Sequence, residues 1–307
     1  MPTTNKKKKI TKATAVDVLR APSLTKLPRL VHGFSTRVGG VSKVYGGNAL
    51  NLGFTAHDTR AAVERNRREF ISALAKERKK SGASSAELPL ITLRQIHSDL
   101  IHRIAEMPKD NAPLAGDGMV TDVPGILLGI LTADCLPLIL VDPKRHAIGV
   151  FHAGWRGTAK RIAEKGVGEM HRWFGSDPRD LKAAIGPSIR GCCYEVGLEV
   201  ISAFEAQFSY GSELFRETKD RNEIHEKYPL LFLTSRAPGH SELPKKIFLD
   251  LAEANRRQLI ATGLSPKNIS DIGLCTHCRQ DLFFSHRGEK GATGRMMTVV
   301  GMVNLKG

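Results

Sequence analysis

The sequence predicts one large domain mixing helices and strands, of the α/β or α+β class, and three observations predict it. Its 307 residues would suffice for one large domain or two average ones, yet neither a linker nor an internal repeat interrupts residues 30–307. Short strand-like runs crowd residues 90–153, while longer helical patterns lie before and after them. Apolar residues at 41% and charged residues at 25% are the proportions of a chain with a packed core.

Residues 1–28 read as a polar, basic lead-in that is too poor in aromatics to build a core, leaving 29–307 as the domain. Phe34 to Ser42 reads as a strand end running into a glycine turn at Gly39-Gly40. Asp58 is placed to cap a helix over 59–78, with Ala62, Val63, Phe70, Ile71 and Leu74 forming its apolar stripe. A loop of small residues follows over 81–87. Strands are predicted at 90–96, 100–105, 119–121, 126–132, 136–141 and 147–152. A helix over 158–174 ends at Gly175, with Pro178 beyond it, and a strand follows at 182–185. Residues 196–208 read as helix and 209–244 as a polar, irregular insertion or lid. A last helix over 250–263 has Asp250 near its start and Gly263 as its C-cap; strands at 269–274 and 296–303 follow.

No apolar run reaches the roughly 20 residues that a bilayer demands, because 126–141 is broken by Asp134 and Pro137. Lys6 to Lys9 are not followed by an apolar stretch, so no secretory signal is expected and the protein reads as cytoplasmic. Five cysteines (135, 192, 193, 275 and 278) are an odd count, which points to reduced thiols rather than a disulfide framework. The net charge is +15 and the isoelectric point about 9.8. A field of that sign attracts phosphate and nucleic acid. The excess is scattered, however, and aromatics make up only 6% of the chain, so solvated helix faces are the favoured reading.

Chemistry concentrates at three places where an apolar run breaks: His97 in Arg94–Asp99, Cys135 in Leu131–Leu138, and His152 in Phe151–Gly157. Two imidazoles and one thiolate hold a zinc ion while leaving its fourth position open, as catalytic sites do. Asp134, beside the thiol, is a candidate general base or ligand-orienting group. Arg156 begins a helix and, with Arg37, would form an anion pocket, since a planar guanidinium suits phosphate oxygens. Cys275 and Cys278 have the spacing of a zinc half-site, but the adjacent pair Cys192-Cys193 is a poor second half. No Walker, GxGxxG or Gly-x-Ser-x-Gly pattern is present.

Together these segments resemble one family, the YfiH-like laccase-domain proteins, whose members are also called polyphenol oxidases, purine nucleoside phosphorylases or peptidoglycan editing factors. The matching stretches are FSTRVGGVS (34–42), LNLG (50–53), ERNR (64–67), RQIHSD (94–99), GDGMVTD (116–122), TADCLPLIL (132–140), HAGWRG (152–157), AIGPSI (184–189), CT (275–276), FFSHR (283–287) and TGRM (293–296). The resemblance implies an α+β fold, a mixed β-sheet core flanked by helices, in a single YfiH-like domain. It implies zinc, or copper, on His97, Cys135 and His152, and activity on purine nucleosides with phosphate as co-substrate. The activities implied are phosphorolysis of adenosine, inosine and methylthioadenosine, and deamination of adenosine. Arg37 and Asn51 fall in motifs expected to line the substrate pocket. The chain departs from the family pattern at Thr55, where a histidine is usual, so that His57 does not inherit that role. It departs again at His286, where tyrosine is usual, and at Cys192, Cys193 and Cys278, which further disfavours a second metal site.

Zinc-dependent purine nucleoside chemistry is therefore expected, with Arg37 and Arg156 holding phosphate and Asp134 carrying protons. The alternative is a peptidoglycan-editing hydrolase acting on a nucleotide-linked muropeptide, with Cys135 as nucleophile and His152 as base. A laccase assembly is not expected, because none of the 11 histidines forms a His-x-His pair. A nucleic-acid-binding protein is the remaining and least favoured class. No membrane partner is expected, and a monomer is the default.

Overall fold

Alternation along the strands builds two sheets that share one apolar layer. In the computed structural model, which describes residues 15–79, 88–107, 113–219 and 245–303, the first sheet runs β1 (Val18–Leu19), β2 (Leu30–Ser35), β14 (Met296–Met302), β7 (Leu127–Thr132), β4 (Leu90–Thr92). The second runs β13 (Ile269–Asp271), β10 (Lys182–Ile185), β8 (Leu136–Asp142), β9 (Ala147–Ala153), β6 (Gly118–Thr121), β5 (Ile101–Arg103). Both are mixed: β4–β7, β5–β6 and β10–β13 are parallel, and the remaining pairs antiparallel. Strand β3 (Val38–Ser42) and the hairpin β11 (Phe215–Lys219) with β12 (Lys245–Leu249) lie outside the two sheets.

Period-two patterning assigns each face. On β8, Leu136, Leu138 and Leu140 pack with the cluster of Phe151, Val167 and Leu259, whereas Ile139 and Val141 join Phe34, Ile130 and Val300 between the sheets. On β7, Leu128 and Ile130 point into that shared layer, and Leu127 and Leu131 point outward to Phe70 and Leu74. Those two belong to α2 (Arg60–Lys79), which covers the first sheet. The second sheet is covered by α4 (Ile162–Phe174), α5 (Leu198–Gln207) and α6 (Leu251–Ala261). The order is thus helix, sheet, sheet, helices: an α+β architecture with a mixed-sheet core, as expected.

Several expectations are corrected. The boundary at residue 28 falls inside the fold, because β1 pairs with β2 and Ala21 and Leu24, around the short α1 (Pro22–Thr25), are fully buried. The single helix over 158–174 is two, α3 (Trp155–Ala159) and α4, broken at Arg161, whose φ of 65° is left-handed. The strand over 90–96 stops at Thr92, with an isolated bridge from Arg94 to Ala115 beyond it. Of the expected irregular insertion, residues 209–210 form a turn and 211–219 a 3₁₀ turn and β11, while 220–244 lie outside the described residues. Thr59, not Asp58, caps α2, its hydroxyl accepting from the Ala62 amide at 3.3 Å.

Candidate metal centre and its cleft

His152 shares the parity of Ile148 and Val150, so β9 aims it between the sheets at their open end. Cys135 lies one residue ahead of β8, whose Pro137 is in register with His152. His97 follows the Arg94 bridge on a connecting loop. The donor atoms of these three residues all lie within 4.8 Å of one another. His97 Nε2 stands 4.0 Å from Cys135 Sγ, and the two imidazoles meet edge-on at 80°. Bond lengths of about 2.0 Å to nitrogen and 2.3 Å to sulfur in a tetrahedron place N and S roughly 3.5 Å apart. A slight contraction therefore fits the triad to a single metal ion.

Two of the residues that make this corner adopt left-handed backbone, His97 at φ 56° and Asp134 at φ 90°, a conformation that persists only where its surroundings hold it. Each is held by a buried carboxylate. Asp117 accepts from the backbone amides of Ile96 (3.2 Å), His97 (3.0 Å) and Ser98 (2.6 Å), and from the Ser98 hydroxyl. It also accepts from His152 Nδ1 at 2.8 Å, which leaves Nε2 of that ring for a metal. Asp134 accepts from the Thr276 hydroxyl at 2.6 Å and the Arg287 amide at 2.7 Å. Gly154 is needed because a Cβ there would lie 3.1 Å from Cys135 Sγ and 3.3 Å from the His97 ring.

Burial pushes the Cys135 thiol up, but the facing His152 and His97 outweigh it and bring the thiol down to about 6. Burial likewise opposes charge on His152, yet Cys135 and Asp117 raise it to about 9. Desolvation raises Asp117, and the hydrogen bonds from His152 and Ser98 overcome it and hold that carboxyl well below the usual carboxylate range. The thiol and the Asp117 carboxyl are thus held toward their anionic forms on either side of His152, whose Nε2 can ligate a metal once its proton leaves.

The triad opens on a cleft of about 590 Å³, whose walls include Phe54, Leu93, Leu131, His57, His286 and Arg295. Arg37 and Asn51 do not line it. The Arg37 guanidinium donates to the carbonyls of Gln280, Phe283 and Tyr45 and pairs with Glu289 at 3.1 Å. Asn51 is fully buried and bridges Gly53, Asp58 and the Arg295 amide. Both are framework. Asp134 spends one carboxylate oxygen on the Thr276 hydroxyl and the other on the Arg287 amide, which makes it a positioning residue rather than a free proton carrier. Arg156 is exposed, stacks 4.4 Å over Trp155 and borders a neighbouring groove with Lys160 and Lys165.

Asp117 and Thr276 entered the sequence reading only as positions in the GDGMVTD and CT stretches, and Tyr194 not at all, so none of the three was given a site role. Asp117 had one signal, its place in the GDG of residues 116–118. Burial pushes the Tyr194 phenol up, and its charged neighbours are Cys135, Arg287, Asp134 and Arg156. His57, set aside above, does line the cleft. Cys192, Cys193, Cys275 and Cys278, which spacing argued against, converge with sulfurs within 4.8 Å of one another.

Residues 31–303 match the family described as multi-copper polyphenol oxidoreductase laccase, and the chain belongs to that family. Among its relatives is a Bacillus subtilis protein named purine nucleoside phosphorylase YlmD, 33% identical over 281 residues that cover 89% of this chain and 88% of the relative. A protein of an unknown prokaryotic organism named adenosine deaminase RL5 is 37% identical over 217 residues, 68% of this chain and 73% of its own. The crystal structure of YlmD from Geobacillus stearothermophilus superposes with a TM-score of 0.74 at 31% identity, covering 96% and 98% of the two chains. No helix among the described residues is long and apolar enough to cross a membrane.

Proposed function

We propose that the chain is a zinc-dependent purine nucleoside enzyme, acting by phosphorolysis of adenosine, inosine or methylthioadenosine and by deamination of adenosine. The observation that carries the proposal is the triad of His97, Cys135 and His152, with donors within 4.8 Å, opening on a cleft of nucleoside size. The relatives named for both activities support it. His97, Cys135 and His152 would hold the ion, which would supply a Lewis acid in the cleft.

The chain's own residues do the rest. Asp117 fixes the His152 tautomer and the His97 loop together. Phe54, Leu93 and Leu131 present apolar wall to a purine, and His57 and His286 are the remaining lining side chains able to move a proton at a ring nitrogen. Arg156 keeps its proposed anion role from the groove it lines, without Arg37, whose guanidinium is taken up by three carbonyls and Glu289. Chromatography of adenosine reactions with and without phosphate, on metal-analysed protein and on Cys135→Ala, tests the reading. Phosphate-dependent adenine or phosphate-independent inosine is expected, lost by at least a hundredfold in the variant. Full turnover by metal-free Cys135→Ala would sink it.

A second reading rests on the same corner. A thiolate at Cys135, His152 beside it and Asp117 behind that ring also form a nucleophile–base–orienter array. A peptidoglycan-editing hydrolase would use it without metal. One equivalent of zinc per triad with no covalent Cys135 adduct favours the first reading; a metal-free active protein trapped by thiol reagents favours the second.

A further inference from the structure

We infer that Cys192, Cys193, Cys275 and Cys278 form a second, closed metal site that takes one zinc ion as a tetrathiolate. All four sulfurs lie within 4.8 Å of one another, with Cys193 to Cys278 at 3.3 Å and Cys192 to Cys278 at 3.6 Å. A zinc ion with four bonds of about 2.3 Å sets its sulfurs about 3.8 Å apart. The four are separate thiols rather than disulfides. With Cys135 committed to the triad, the odd cysteine count resolves into one ligand there and four here.

Topology assembles the site. Strands β10 and β13 run parallel and in register, and the loops leaving their ends stay paired, Ser188 bridging Cys275 and the Thr276 amide donating to the Ser188 carbonyl. Cys192 and Cys193 fall in a tight turn in which the Cys193 and Tyr194 amides both donate to the Arg190 carbonyl at 2.8 Å. Cys275 and Cys278 occupy one turn, closed by the Arg279 amide donating to the Cys275 carbonyl. An adjacent pair is a poor half-site in an extended chain, but a turn brings successive side chains to one side.

Four thiolates held this close repel one another, and a cation among them removes that penalty, since thiols bind zinc deprotonated. Four protein ligands leave no open position, so the site is structural. Its placement gives it a purpose: Cys275 precedes Thr276, whose hydroxyl holds Asp134 next to Cys135. The second ion would pin the loop behind the first.

The test is metal analysis of the full-length protein expressed in zinc-supplemented medium. About two equivalents per chain are expected in the wild type, one in Cys135→Ala, and none when Cys278→Ser is added to that variant. Cobalt-loaded Cys135→Ala should show the thiolate charge-transfer and d–d bands of a tetrahedral tetrathiolate. Should Cys278→Ser fail to fold, the metal content and cobalt spectrum of Cys135→Ala alone decide. Metal-free Cys135→Ala, metal retained through Cys278→Ser, or peptide mapping that finds Cys192 or Cys193 disulfide-linked to Cys275 or Cys278 in fresh protein each overturns the inference.

Discussion

Replacing Asp117 by Asn would keep the side chain's shape while removing the charge that three backbone amides and His152 share. Residues that orient metal ligands from behind commonly change affinity by 10–100-fold. Asp117→Asn should therefore weaken zinc binding by about that factor, measured by competition with a chromophoric chelator; an unchanged affinity would remove Asp117 from the site. The proposed ligands could be picked out in the sequence because His97, Cys135 and His152 sit where apolar runs break and within the RQIHSD, TADCLPLIL and HAGWRG stretches that carry the family resemblance. Asp117 was not, since an aspartate announces nothing until the fold shows which amides converge on it. Arg37 failed for the opposite reason. An arginine in a glycine-rich turn suits an anion, but three carbonyls and Glu289 reach its guanidinium first.

Within α4, two glycines two positions apart face opposite surroundings. A Cβ at Gly166 would lie 2.8 Å from the Phe151 ring, whereas one at Gly168 meets nothing within 4 Å. Gly166→Ala should destabilise the protein by about 1–3 kcal/mol through overpacking. Gly168→Ala should stabilise it by roughly 0.5–1 kcal/mol through helix propensity. Urea denaturation of both variants checks the pair, and equal signs would refute the packing assigned to this helix. Most elements were predictable from periodicity, β10 to the residue. The break at Arg161 was not, because a left-handed arginine is chosen by tertiary contacts: it binds Glu164 at 3.0 Å and the Gln207 carbonyl.

Across the whole molecule, the most consequential misreading concerned the segment before residue 29, which composition marked as lead-in. His32 shows how firmly part of it is docked: its Nε2 accepts from the Ala21 amide at 3.0 Å. Burial, then Arg20, holds His32 down to about 4 from 6.5. Between those values an unfolded chain takes up a proton that the folded one refuses. This contribution is complete above pH 6.5 and is lost as the pH falls toward 4. It amounts to at most about 3 kcal/mol. Stability measured from pH 7 down to 4 should fall less steeply in His32→Gln than in the wild type, and parallel curves would contradict this.

Strand β14 is the last element of the described chain in sequence, yet it lies in the middle of its sheet, hydrogen-bonded to β2 on one side and β7 on the other. On the ribosome, its two neighbours therefore emerge and wait with facing edges unpaired, some 160 residues ahead of the strand that joins them in the case of β7. The layer between the sheets and the cleft at its end can close only once residues 296–302 have left the exit tunnel. The site thus forms only after both of its flanking strands have waited for β14, and nascent chains of this protein should depend on whatever shields open strand edges during that interval.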